Sequence, residues 1–265
     1  MELPVSRKTV EFRWLDGNDE LTILEARGGI VEQAALVLTR LAAVTSEAAP
    51  SANGAFWRRM TVTDFEAALL GLRRFLFGDT MECLFRCMSP LCGAKIESKF
   101  SISVFLETAT PRVSRGIVES TDRPGWFLLE RTRGGDLCFR LPAVEDQISV
   151  VGKPDARRLL ANRCIESQRR NALAIAAAER AMEAMAPLVS KPLEGLCPEC
   201  RARVTMPLHV PTFVLQELRM AATGIHAEIH TIAKAYHWDE ASILAMPPSR
   251  RQAYVDSIRG DERLN

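Results

Sequence analysis

The chain lacks most of the features that announce a function. Its 265 residues carry a formal charge of only +1. A nucleic-acid or anionic-membrane binder ordinarily shows a clear basic excess, so bulk electrostatics supply no such partner. Long apolar runs are missing too. The longest stretches, such as ALAIAAA at Ala172–Ala178, fall far short of the roughly 18–20 residues a spanning helix needs. The opening MELPVSRKTVEFRW has no apolar core of signal-peptide length. These absences lead to the expectation of a protein made and kept in the cytoplasm. Phosphate-binding G-x4-G-K-[ST], dinucleotide-binding G-x-G-x-x-G and nucleophile-elbow G-x-S-x-G patterns are all absent. Carboxylates are scattered, and no pair stands out as acid and base. Basic doublets such as Arg58-Arg59 and Arg250-Arg251 are dispersed and read as solvated helix faces.

What the chain does have is 47% apolar residues, enough for a packed core, and seven cysteines. Four of the cysteines lie in two stretches that repeat each other. RCMSPLCGAKIESKFSISVF runs from Arg86 to Phe105, and LCPECRARVTMPLHVPTF from Leu196 to Phe213. With Cys92 laid on Cys200, Ala94 falls on Ala202, Lys95 on Arg203, Ile96 on Val204, Phe100 on Leu208, Ile102 on Val210 and Phe105 on Phe213. Each stretch is a close cysteine pair, then an alternating strand, then an aromatic before a helix.

Cys87-x4-Cys92 and Cys197-x2-Cys200 together offer four thiolates, a donor set that suits tetrahedral zinc. In a reducing compartment clustered cysteines favour metal over disulfides. Two such turns facing each other, each feeding a strand, make a zinc ribbon with one structural Zn2+ per chain. All four ligands are then protein, and no position is left open for catalysis. The competing readings are buried thiols beside a solvent loop, or a redox CxxC. A redox motif ordinarily opens a helix, whereas RARVTMPLHV alternates like a strand. HAEIH (His226–His230) lacks the spacing of a zinc protease and reads as ordinary surface histidines, and His237 reads as a helix-end residue. Cys83, Cys138 and Cys164 read as core.

The fold class predicted is α+β. Its centre is a composite zinc-ribbon β core with a long insertion between the two cysteine turns and a helical C-terminal tail. The segments are an N-terminal strand and helices over 1–79, the first half of the ribbon over 80–106 and an insertion with a hairpin and helices over 107–195. The second half of the ribbon covers 196–211 and the helical tail 212–265. Within these, Thr9–Trp14 reads as a strand, Asp16–Asp19 as a turn and Ile30–Val44 as a helix. Thr63 and Glu66 read as a capping box, followed by a helix to Gly78. PGWFLLERTRGGDLCFRLP reads as a hairpin with a Gly-Gly turn. Thr212–Tyr236 reads as one helix, and Ser249 with Gln252 as a second capping box.

The order of segments resembles a known family. DGNDEL follows an N-terminal strand. Then come TVTDFEAALLGLRRFLFGD, the turn RC…CG, an insertion with FRLP, CPEC, and a closing YHWDEASILAMPPSRRQAYVDSI. This is similar to the phage T4-type baseplate proteins, the baseplate hub assembly chaperones of contractile phage tails and contractile injection systems. The similarity covers most of the chain and is clearest over 61–105 and 196–258. It implies a non-enzymatic chaperone or structural component of the baseplate hub, in the cytoplasm or retained in the assembled particle. Hub or tail proteins are the implied partners, with no membrane and no small-molecule substrate. The resemblance also carries the metal role to Cys87, Cys92, Cys197 and Cys200, although the four-residue gap of the first pair departs from the family's CxxC. In the tail, Tyr236, Trp238, Ile243, Leu244, Met246 and Tyr254 are candidates for an apolar docking surface, or else pack on the chain's own long helix. Two other classes stay open. One is a zinc-ribbon nucleic-acid-binding or transcription accessory protein, for which Lys95, Lys99, Arg201 and Arg203 are the basic residues. The other is an enzyme with a pocket in the insertion.

Overall fold

The computed structural model describes residues 1–45, 55–112, 116–129, 137–167 and 172–264. It is α+β, and among the described residues every sheet is small and antiparallel. The expected first strand is β1 (Val10–Phe12). Where the sequence predicts only a turn, a helix α1 (Gly17–Glu25) begins. Asp16 caps it by accepting the N–H of Asp19, and Asp19 accepts the N–H of Asp16 in return. Helix α2 (Ile30–Leu41) ends ahead of the expected Val44 because β2 (Ala42–Val44) pairs with β1.

After α3 (Ala55–Arg59), the central helix α4 (Val62–Phe77) runs through the main core. Its cap differs from the predicted Thr63–Glu66 box. Thr61 accepts the N–H of Asp64 and is the N-cap. Thr63 instead donates to the carbonyl of Pro187, and Glu66 accepts two bonds from Ser190. Both side chains are buried, so their partners are set by tertiary packing. Phe65, Leu69 and Leu72 of α4 pack with Trp57, Leu38 and Leu41 in that core.

The first cysteine arm follows: β3 (Thr80–Arg86), β4 (Lys95–Ser101) and α5 (Ile102–Glu107), with β3 and β4 paired over seven residues. The insertion then builds a separate layer. Strands β5 (Ile117–Glu119), β6 (Trp126–Leu129) and β7 (Leu137–Arg140) lead to α6 (Val144–Val150) and α7 (Ala156–Cys164). β8 (Ile165–Ser167) closes a four-stranded sheet in the order β5-β6-β7-β8, and α8 (Ala172–Met185) covers it. The predicted hairpin is β6–β7, and its Gly-Gly turn lies outside the described residues. Leu137, Phe139, Cys164, Ile165, Ala178 and Met182 form this layer's own core. Asp146, buried, binds both Arg140 and Arg163, which holds its carboxyl down at about 2 against the cost of burial.

The second arm is β9 (Leu193–Leu196), β10 (Arg203–Met206) and α9 (Val210–Ala222). Its first strand occupies residues that the sequence predicts as the end of the insertion. The single helix expected over Thr212–Tyr236 is two, α9 and α10 (Ile225–Tyr236), separated at Thr223-Gly224, where helix propensity is low. α11 (Glu240–Leu244) and α12 (Pro248–Leu264) finish the chain. Ser249 lies inside α12, and Gln252 donates to Asp256, so the predicted Ser249–Gln252 box is not formed.

Two buried polar groups of α4 hold both arms in place. Arg73 binds Glu217 of α9 through two bonds and donates to the carbonyls of Gly78 and Thr80, which lead into β3. Glu66 grips Ser190, whose hydroxyl accepts the first N–H of α9, from Val210. Removing Glu217 leaves the buried Arg73 guanidinium without its counter-charge, a defect that ordinarily costs about 3 kcal/mol or more. Removing Ser190 leaves the buried Glu66 carboxyl, which burial already pushes up, without its hydrogen bonds.

Candidate metal centre

The structure brings together the four cysteines that the sequence singles out. Their Sγ atoms all lie within 4.8 Å of one another, although the two pairs are over a hundred residues apart in the chain. Cys87 Sγ stands 3.6 Å from Cys200 Sγ, and Cys92 Sγ stands 3.8 Å from Cys197 Sγ. Four sulfurs held about 2.3 Å from one ion in a tetrahedron are separated by roughly 3.8 Å. The cluster is therefore compatible in size with a tetrathiolate metal site. It is the one group of three or more metal-ligating side chains gathered among the described residues.

Each pair sits at the tip of its hairpin and is shaped in the same way. Cys87 N–H donates to the carbonyl of Ala94, and Cys197 N–H to the carbonyl of Ala202. The residue after each second cysteine is left-handed: Gly93 and Arg201 both have φ of 60°. This reversal turns the chain back onto its strand. Beneath the sulfurs, Ile96 and Val204 are buried in one small cluster with Cys87 and Cys197, flanked by Phe85 and Ala94. The correspondence continues into the helices. Ser101 caps α5 by accepting the N–H of Val104, and His209 caps α9 by accepting the N–H of Thr212. Ile102 and Val210, the first residues of those helices, are both fully buried in the main core.

The thiols are not equivalent. The N–H of Cys200, then that of Glu199, stabilises a thiolate at Cys197 and holds it at about 7 in spite of burial. At Cys87 the N–H of Ser89 acts in the same sense. Burial and the thiols of Cys200, Cys197 and Cys92 outweigh it, and Cys87 is pushed up to about 12. Cys92 is also raised: the N–H of Ala94 opposes burial and the neighbouring thiols and loses. One negative sulfur is thus accommodated and further ones are resisted, unless a cation sits between them. A thiophilic divalent cation removes that resistance, so donor type, spacing and electrostatics all fit a structural metal.

The remaining sequence candidates separate cleanly. His226 and His230 are exposed on α10 and belong to no cluster of ligands among the described residues. His237 is the left-handed C-cap of α10. Cys83 and Cys164 are buried, and Cys138 is half-buried on β7. Of the six tail residues proposed as a docking surface, Ile243, Leu244 and Met246 are buried. Ile243 and Met246 pack with Ile232 and Val255 between α10 and α12. Leu244 sits against Gly17, where a Cβ would come within 2.8 Å of its Cα. These three belong to the interior, because α11 folds back on α1 and α10. Tyr236 and Trp238 remain exposed, stacked at 5.0 Å, and both pack on Tyr254, which is half-buried against the same cluster.

Gly93, Ser101, His209 and Ser190, with Arg201 noted in the sequence only for its charge, are the site-shaping residues that the sequence does not assign to the site. All but Ser190 lie at matched positions of the repeat, so extending the alignment beyond its apolar positions would have found them. Ser190 leaves no local signal. Comparison with family models, curated proteins and solved structures returned no match. Among the described residues, no helix is long and apolar enough to cross a membrane.

Proposed function

We propose that the two arms are the halves of a zinc ribbon, closed by one structural Zn2+ on Cys87, Cys92, Cys197 and Cys200. On this reading the chain is a non-enzymatic assembly protein. The observation that carries it is the cluster of four sulfurs within 4.8 Å of one another, drawn from two hairpins that repeat each other's hydrogen bonds and turns. Bound there, the ion supplies cross-linking and no chemistry, since every ligand is protein. The ribbon then joins α4, α5 and α9 into one rigid body that presents surface to partners.

The order of sequence segments described above makes the partner a hub or tail protein of a contractile phage tail or injection system. The chain acts there as an assembly chaperone or as a resident component of the baseplate hub. Affinity capture from cells assembling such a particle, followed by mass spectrometry of captured and mature material, tests this. Recovery with hub proteins at either stage supports the proposal, and recovery at neither overturns it.

A second reading, nucleic-acid binding by the ribbon, has one observation in its favour. Lys95, Lys99, Arg201 and Arg203 are all exposed on the two arms. Lys99 is, however, paired to Glu82 at 2.6 Å, and Glu97, Glu194 and Glu199 are exposed on the same arms. Retardation of a nucleic acid that weakens steeply with salt would favour this reading. A catalytic reading has less support. The cleft beside the insertion, about 330 Å³, is lined mainly by apolar side chains, with Arg112 and Glu119 as its charged groups. A larger cleft of about 670 Å³ between Trp14, Leu76, Phe77 and Pro247 contains Glu20, whose carboxylate is bound to Arg251.

A further inference from the structure

β3 is seven residues long and pairs with β4 on one side only. Two bonds at its ends set which residues face which way. Ile102 N–H donates to Asp79 carbonyl, and Cys87 N–H donates to Ala94 carbonyl. In an antiparallel pair the bonded positions alternate, so Met81, Cys83 and Phe85 bond to β4. Thr80, Glu82, Leu84 and Arg86 point their N–H and C=O groups the other way. Arg73 takes the carbonyl of Thr80. Among the described residues nothing pairs the outward main chain of Glu82, Leu84 and Arg86. Glu82, Cys83 and Leu84 line a cleft of about 640 Å³ together with Phe213 and Met220 of α9. Long uncovered edges of this kind are templates for another strand.

Of the side chains on this edge, Glu82 is already paired with Lys99 across the hairpin, whereas Leu84 and Arg86 lack partners among the described residues. Leu84 is 65% exposed. Arg86 is exposed, has no acidic partner among the described residues, and stands opposite Lys95 across the hairpin. Like charges facing each other across a strand pair are unfavourable.

We propose that this edge pairs with the same edge of a second copy of the chain. The register sets Glu82 opposite Arg86 of the second copy, Leu84 opposite Leu84, and Arg86 opposite Glu82. This alignment brings outward-facing main chain together on both strands, so N–H and C=O groups find partners. It also gives each Arg86 a carboxylate. Sliding the strands to other bonded registers puts Glu82 against Glu82, Arg86 against Arg86, or either charge against Leu84. Only the proposed register is both charge-complementary and two-fold symmetric about an apolar centre. Joining the edges makes a four-stranded sheet of β4-β3-β3-β4. The contact is small, so the dimer is weak and forms with rising concentration. The pairing does not depend on the metal reading.

Sedimentation of the full chain over micromolar to near-millimolar concentrations tests this. The expected result is a shift from 29.4 kDa to twice that mass. Glu82→Arg or Arg86→Glu alone places like charges at both ends of the contact and raises the dissociation constant roughly tenfold or more. An equimolar mixture of the two variants restores opposite charges at both ends and recovers the dimer. Leu84→Pro removes an outward N–H without touching the bonds to β4, and abolishes pairing. If that variant misfolds, the charge exchange alone decides. A chain that stays monomeric throughout overturns the proposal, even if it takes up an extended peptide from another protein on this edge. So does a dimer indifferent to the charge reversals.

Discussion

The two cysteine arms have the same plan and very different means of support. Arm one pairs its strands over seven residues, β3 with β4, before reaching its turn. Arm two pairs over four, β9 with β10, and two of the residues in β9 are Gly195 and Glu194. A two-stranded ribbon of four residues is not stable by itself. Arm one carries glycine at its left-handed position, where that conformation is free of strain. Arm two carries Arg201, which is not. In compensation, arm two has the tighter cysteine turn and the thiol most ready to ionise, Cys197. On the zinc-ribbon proposal the long arm is a preformed half of the site, and the short arm is the half that the ion would hold. On that proposal, metal supplies for arm two what strand length supplies for arm one.

That asymmetry can be tested from its largest consequence downward. Replacing the fully buried Cys197 with serine should remove metal and much of its contribution to folding, of order 10 kcal/mol for structural zinc. Hydrogen exchange should then show Leu193–Met206 losing protection while Thr80–Ser101 keeps most of its own. Equal loss in both arms would break the comparison. Beneath the sulfurs, Ile96→Ala should cost about 2–4 kcal/mol and Val204→Ala less, because fewer methyl groups are removed; denaturant unfolding of the metal-loaded protein measures both.

Metal affinity should fall as pH falls, because protons compete for the sulfurs. Above about pH 7 Cys197 is already ionised, and below it one more proton must leave on binding. The plot of log affinity against pH therefore steepens by one unit of slope below about 7, readable by competition with a chromophoric chelator. An unbroken slope from pH 6 to 8 would remove the special role of Cys197. The smallest effect exchanges the left-handed residues. Gly93→Ala meets open space, so its cost is conformational, about 1 kcal/mol, and Arg201→Gly should be neutral or stabilising by up to about that amount.

The four-cysteine cluster is legible because a repeat is long-range information written locally. Two matched cysteine turns imply that their strands meet, whatever the insertion between them does. Local ambiguity hid other features. Thr63 and Glu66 have the spacing of a capping box, but Thr61 precedes Asp64 by the same three positions and is the actual cap. The choice between them depends on Ser190, far along the chain, which claims Glu66. Asp16–Asp19 has the composition of a turn and of a capped helix start alike. In the tail, Ile243, Leu244 and Met246 are as apolar as a docking surface requires. Nothing in their order says that α11 folds back against Gly17 and Ile232. Strand β9 was missed because LEGL carries little β propensity. It is a strand because β10 and the cysteine cluster hold it there.

X-ray absorption at the zinc edge, with metal analysis of the purified chain, tests the central claim most directly. One zinc per chain surrounded by four sulfurs at about 2.3 Å is the predicted result. A chain free of stoichiometric metal with both hairpins intact, or zinc bound by fewer than four sulfurs, would contradict it.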